Sequence, residues 1–280
     1  MSINNSRDFL AFVAREDGSL MTDHLLFGAN IQLPPGSYEP NWDTKEFDSV
    51  TFKGTAGRDA LFGGGGELFA FFLGTRGDDL YGVGDDPDVF SNAYVDYSGA
   101  STGVCVDMSY RGTRSFTDAL GDVRTVDVVG KAQGGFGGTD YFAANTMFGV
   151  EGISGVLGVF GTSHRDVMIG GGGFDDFFGG RGDDLLIGGS SHGGEGNDRL
   201  IGRSVGGGSV ALWGDEGNDW IFGTDGPGRT DIYLIGGKGN DHTFAGAGDD
   251  TYVTGDEGND FIDGGAGNDF IDGGVGKDIL

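Results

Sequence analysis

The chain has 280 residues, of which 61 are glycine, roughly three times the usual share of about 7 %, and such a composition excludes an ordinary helical or α/β enzyme. Acidic residues number 44 against 17 basic ones, for a net charge of −27; a polyanion with pI near 4.1 repels phosphate backbones and anionic lipid, which argues against nucleic-acid binding and polybasic membrane docking. Of the 44 acids only 8 are glutamate and 36 are aspartate, and Asp beside Gly is what oxygen-ligand turns for hard cations use, because the short side chain folds back onto its own loop.

Residues 1–50 hold three of the five prolines (Pro34, Pro35, Pro40) and a more ordinary composition. They read as an irregular N-terminal cap, too small for a catalytic domain. The apolar stretch from Phe9 to Ala14 is short and flanked by Asp8 and by Arg15-Glu16, so it is not a secretory signal peptide, and no run in the chain reaches the length of a transmembrane segment.

Residues 51–160 read as a degenerate β-roll or β-helix region. "GTAGRDALF" (54–62) and "GTRGDDLYG" (74–82) are imperfect nine-residue copies with Asp59 and Asp79 at the sixth position, and "GVGDDPDVF" (82–90) drifts out of register. Beyond residue 90 the pattern lapses into period-two alternation, as at Val104, Val106 and Met108, and a β-rich "TVDVV" at 125–129; both suit short strands joined by Gly turns. Cys105, the one cysteine, excludes an internal disulfide and a thiolate zinc cluster. It reads as a small buried hydrophobe.

From 161 to 280 the nine-residue period is plain. Copies with the consensus G-G-x-G-[ND]-D-x-U-x recur, among them "GGRGDDLLI" (179–187), "GGEGNDRLI" (193–201), "GDEGNDWIF" (214–222), "GGKGNDHTF" (236–244), "AGAGDDTYV" (245–253) and "GGAGNDFID" (264–272). The sixth position is Asp175, Asp184, Asp198, Asp219, Asp241, Asp250, Asp260, Asp269 and Asp278, with Asp166 in the degenerate opening copy "GTSHRDVMI". Spacings of 9 widen to 14, 21 and 22 at insertions over 188–192, 202–213 and 223–235, and to 10 at Thr254. Such insertions read as loops on one face of a solenoid. They should break the stacking around Asp198 and Asp219.

The first six residues of a copy form a turn, because glycine supplies backbone with φ > 0 and lets carbonyls approach a ligand closely; the last three form a short strand whose eighth residue points inward. Two copies make an eighteen-residue coil, so Asp166 should stack on Asp184, Asp250 on Asp269 and Asp260 on Asp278. The inward layer is then Met168, Phe177, Leu186, Leu200, Ile221, Thr243, Tyr252, Ile262, Ile271 and Leu280. One principal apolar side chain per nine residues cannot offset the entropy of ordering them, and stacked carboxylates repel one another. A dication bridging them, with turn carbonyls as further ligands, supplies the missing free energy and couples binding to folding; all-oxygen, flexible sites select Ca2+, several per chain, over zinc, copper or magnesium. The metal ligands expected are Asp166, Asp175, Asp184, Asp198, Asp219, Asp241, Asp250, Asp260, Asp269 and Asp278.

These residues resemble the RTX (repeats-in-toxin, haemolysin-type calcium-binding) family, whose nonapeptide carries calcium in a β-helix; the match is most specific over 161–280. The middle segment resembles the degenerate modules of such arrays through "YSGASTGVCVDM" and the "GTD" stretch that follows. The resemblance implies an all-β fold, a right-handed parallel β-roll or β-helix solenoid with calcium in its turns, and a secreted, extracellular protein of a Gram-negative bacterium exported by type I secretion. Family members usually carry a secretion signal after the repeats; this chain stops at Leu280 within a copy and reads either as truncated or as exported by a route its sequence does not give.

No complete catalytic motif is present. Gly99-Ala100-Ser101-Thr102-Gly103 matches G-x-S-x-G but lacks the strand-to-helix context of a nucleophile elbow. His24, His164, His192 and His242 never form H-E-x-x-H and read as exposed turn residues. "YGVGDDPD" at 81–88 resembles the catalytic motif of mannuronan epimerases without its histidine, and long amphipathic helices suited to pore formation are missing. The sequence therefore points to a non-catalytic calcium-binding protein with a cell-surface or polysaccharide partner met through insertion loops bearing Trp213, Trp220 and Tyr233. The alternative is an RTX-containing extracellular enzyme acting on polysaccharide or lipid, or a fragment of one.

Overall fold

The computed structural model describes residues 49–53, 60–63, 69–83, 92–117, 123–144, 156–171, 175–203, 209–224 and 231–280. Asp59 and nearly all of the expected N-terminal cap lie outside them. The described residues are strands and turns with no helix, and the chain divides into two compact units, residues 1–96 with 110–157 and residues 97–109 with 158–280.

In the first unit, β1 (Ser49–Lys53), β3 (Phe69–Leu73) and β5 (Asn92–Asp96) pair in parallel. Facing strands β2 (Ala60–Gly63) and β4 (Leu80–Val83) are also parallel and continue to β8 (Thr139–Ala143). Between β4 and β8 the chain makes an excursion through β6 (Val104–Thr117) and β7 (Val123–Gly134), and β7 returns antiparallel beside β8. Phe72, Tyr81 and Phe142 are fully buried and stand in a row, with ring centroids 5.4 and 6.4 Å apart. The repeat pattern lapses over 91–160 because this excursion interrupts the coil path.

The second unit is a parallel β-roll. One sheet runs through β9 (Val156–Phe160), β11 (Asp176–Arg181), β13 (Ser190–Glu195), β15 (Ala211–Glu216), β17 (Tyr233–Lys238), β19 (Val253–Gly258) and β21 (Ile271–Asp272), with β22 (Val275–Gly276) also on β19. The other starts at the first residues of β6 and runs through β10 (Val167–Ile169), β12 (Leu185–Gly188), β14 (Arg199–Gly202), β16 (Trp220–Phe222), β18 (His242–Phe244) and β20 (Phe261–Asp263). Each coil thus gives one strand to each sheet.

The inward row of the second sheet is Val106, Met168, Leu186, Leu200, Ile221, Thr243 and Ile262, none more than 2 % exposed. In the first sheet it is Val159, Phe177, Ser191, Leu212, Leu234 and Val253. Four expectations change here. The ends of the three insertions are the strands β13, β15 and β17 themselves, so they fill the core instead of looping away from it. Val253, not Tyr252, faces inward, because the ten-residue spacing places one extra residue after Asp250 and pairs Leu234 with Val253 and Val253 with Ile271. Ile271 is half-buried and Leu280 exposed. Cys105 is exposed: the alternation that buries Val104 and Val106 turns the residue between them outward.

Candidate metal centre

The sixth-position aspartates form two columns along the edges of the roll. In the first, each backbone N–H donates to the carboxylate of the next coil: Asp166 to Asp184 at 2.7 Å, Asp184 to Asp198 at 2.8 Å, Asp198 to Asp219 at 2.7 Å, Asp219 to Asp241 at 2.8 Å, Asp241 to Asp260 at 2.9 Å and Asp260 to Asp278 at 3.1 Å. The expected break at Asp198 and Asp219 does not occur. The insertions lengthen the far side of the coil and leave this edge in register, with Arg199, Trp220 and His242 donating in turn to the carbonyls of Asp184, Asp198 and Asp219.

The second column begins at Asp175, passes Gly189 and Val210, and regains carboxylates at Asp231, Asp250 and Asp269, linked by N–H donation from Asp231 to Asp250 at 2.8 Å and from Asp250 to Asp269 at 3.0 Å. Sequence reading missed Asp231. Its 19-residue separation from Asp250, repeated between Asp250 and Asp269, could have found it. Asp140 was missed likewise; in the first unit it accepts from the N–H of Asp79 at 3.0 Å. Beside the first column runs a ladder of fifth-position amides, in which Asn218, Asn240 and Asn259 each donate to the Asn of the coil before at 2.9–3.1 Å; this accounts for the [ND] of the consensus.

Six of the column carboxylates are buried but incompletely bonded. Asp184, Asp198, Asp219, Asp241, Asp250 and Asp260 are at most 3 % exposed, and the Oδ2 atom of each has no hydrogen-bond partner. Such an atom carries a large desolvation penalty when ionised. Burial, followed by the neighbouring carboxylates, pushes Asp184 and Asp219 up to about 8; burial likewise raises Asp198 and Asp241 to about 6.

Five of the six orphaned oxygens, those of Asp184, Asp198, Asp219, Asp241 and Asp260, lie against a first-position glycine; in the copy of Asp250 that position is Ala245. A Cβ on Gly214 would stand 2.4 Å from Asp219 Oδ2 and 2.4 Å from the Gly236 carbonyl oxygen. Carboxylate and main-chain oxygens therefore converge on Gly214, where a side chain would collide with both. Among the described residues no three His, Cys, Asp or Glu side chains cluster as a metal site, because each coil brings one carboxylate and spends Oδ1 on its neighbour's N–H. A hard cation here would take Oδ2 atoms and turn carbonyls, and these donors suit Ca2+.

The aromatic residues are on strands, not on insertion loops. Phe160, Phe178, His192 and Trp213 stack on successive strands with centroids 4.5, 5.2 and 4.3 Å apart, and the row continues diagonally to Tyr233 at 6.1 Å. Trp220 and His242 stack at 4.4 Å on the other sheet. Of the histidines, His164 is an exposed turn residue, His24 lies outside the described residues, and His192 and His242 are half-buried strand residues, which corrects the turn assignment for both. Ser101 is exposed in the turn before β6.

A family model, the RTX calcium-binding nonapeptide repeat (4 copies), matches residues 51–67, 160–191, 192–228, 233–252 and 252–280. No curated protein matches the chain. No helix among the described residues is long and apolar enough to cross a membrane. The chain belongs to the RTX calcium-binding nonapeptide repeat family.

Proposed function

We propose that this RTX protein is secreted, takes up calcium outside the cell to complete its fold, and then acts by binding rather than by catalysis. The observation that carries the reading is the set of six buried aspartates with unpartnered Oδ2 atoms, five in the first column and Asp250 in the second. A chain that needs a cation at these positions stays unfolded where free calcium is scarce and folds where it is abundant, which suits export before folding. The binding partner is a cell-surface or polysaccharide ligand. The row from Phe160 to Tyr233 supports this as a half-buried apolar strip whose rings, stacked on one another, present their edges for the C–H groups of a sugar to pack against, and the strongly acidic chain favours a neutral glycan over an anionic one.

The test is a calcium titration of chelator-stripped protein followed by far-UV circular dichroism, with bound calcium counted at saturation. Several ions per chain and a coil-to-β transition are expected. Asp269→Ala should lower calcium binding and loosen the last coils, since Asp269 receives the Asp250 N–H, whereas Ser101→Ala should change neither folding nor any hydrolysis of polysaccharide or lipid ester. Turnover lost on substituting Ser101 would move the reading to an extracellular enzyme.

A further inference from the structure

The turns of this protein come in two conformations, distinguished by the second residue of the copy. At Gly180, Gly194, Asp215, Gly237, Gly246, Asp256, Gly265 and Gly274 that residue has φ between +66° and +107°. All six aspartates with an orphaned Oδ2 follow a residue of this set. Where the second residue is Thr75, Thr162 or Thr224, φ is not positive, as expected for a β-branched side chain, which the left-handed region excludes; Gly171, second in the copy of Asp175, also has a φ that is not positive, though glycine is free to take either form.

The consequence falls on the carboxylate. The N–H of Thr162 donates to Asp166 Oδ2 at 2.6 Å and its hydroxyl reaches both Asp166 Oδ1 at 3.1 Å and the His164 carbonyl at 3.2 Å. Thr224 repeats this on Asp231, with N–H to Oδ2 at 2.8 Å and hydroxyl to Oδ1 at 2.7 Å. Thr75 places its hydroxyl on Asp79 Oδ2 at 2.9 Å. The N–H of Gly171 likewise donates to Asp175 Oδ2 at 2.8 Å. A second residue outside the left-handed region thus supplies, from within the turn, the partner that the positive-φ turns lack; threonine adds its hydroxyl, which at Thr162 stands between the carboxylate and the His164 carbonyl. Asp166 and Asp231 each begin a run of linked aspartates.

We propose that the conformation of the second residue decides whether the turn takes a cation: threonine, kept out of the left-handed region, closes the turn and excludes the ion, so that Thr75, Thr162 and Thr224 mark ion-free turns. This rests on the reading that the orphaned aspartates bind calcium. It assigns Asp166 and Asp175, two of the ligands expected from sequence, to turns without an ion.

Asp256 permits a controlled test, because a Cβ is already accommodated there at φ +66°. Asn tolerates the left-handed region as Asp does, whereas Thr does not. Calcium bound per full-length chain, measured by equilibrium dialysis, should be unchanged in Asp256→Asn and lower by one ion in Asp256→Thr. The converse variant, Thr162→Gly, should bind one ion more, which guards against misfolding as the cause of the loss. Equal counts in wild type, Asp256→Thr and Thr162→Gly would overturn the proposal. A wild-type chain that binds no calcium would instead overturn the reading beneath it.

Discussion

In chelator at pH 7.5 the β-roll spectrum of the repeats should be largely lost, and acidification to about pH 5 in the same chelator should restore part of it. The sign follows from the buried carboxyls. Asp184 and Asp219 are pushed up to about 8, Asp198 and Asp241 to about 6, against about 3.9 for an unfolded aspartate. Between those limits the folded chain holds more protons than the unfolded one, so stability falls as pH rises. Their contribution is fully present below the unfolded value, fades through about 6 as Asp198 and Asp241 ionise, and is gone above about 8.

Calcium reverses this dependence by stabilising the ionised form. Binding at pH 7.5 should release protons, chiefly from Asp184 and Asp219, and the calcium midpoint should rise as pH falls. Circular dichroism with and without chelator from pH 5 to 8, together with calorimetry in buffers of different ionisation enthalpy, measures both effects. A β spectrum indifferent to chelator over that range would rule out metal-coupled folding.

The repeat made the solenoid legible because its two requirements are local: glycine where the turn needs φ > 0 or a close carbonyl, and a large apolar residue two places after Asp. What escaped is whatever depends on the coil rather than the copy. Leu212 and Leu234 looked like parts of insertions, yet they carry core positions in β15 and β17, because a coil needs one strand per sheet whatever the length of its connecting turn. Asp231 was hidden for the same reason, with three more residues between Gly-Thr and Asp than "GTSHRD" has. Tyr252 shows the limit of counting from the turn, since one added residue exchanges the inward and outward faces of a strand. The paired state of each carboxylate was not legible at all, because it turns on φ at the second residue and on an N–H donated from another coil.

Substituting Asp219→Asn should have opposite effects with and without calcium. Asp219 is fully buried at the middle of its column, accepts the Asp198 N–H on Oδ1 at 2.7 Å and donates its own N–H to Asp241 at 2.8 Å. Asparagine keeps the Oδ1 acceptor and the backbone donor and removes the charge. In chelator this relieves a buried carboxylate whose ionised form is opposed first by desolvation and then by Asp198 and Asp241, so the variant should be more stable than wild type, increasingly so as pH rises. In saturating calcium the same change withdraws an anionic ligand from a buried cation, and breaking a buried charge pair from one side costs about 3–5 kcal/mol. Urea unfolding in calcium, and the β content by circular dichroism in chelator between about pH 6 and 8, would then give changes of opposite sign. Asp219→Ala separates ligation from scaffolding, because it also leaves the Asp198 N–H without an acceptor, at about 1–3 kcal/mol in either condition. Equal destabilisation by Asp219→Asn with and without calcium would mean that Asp219 serves the ladder alone and that the ion sits elsewhere.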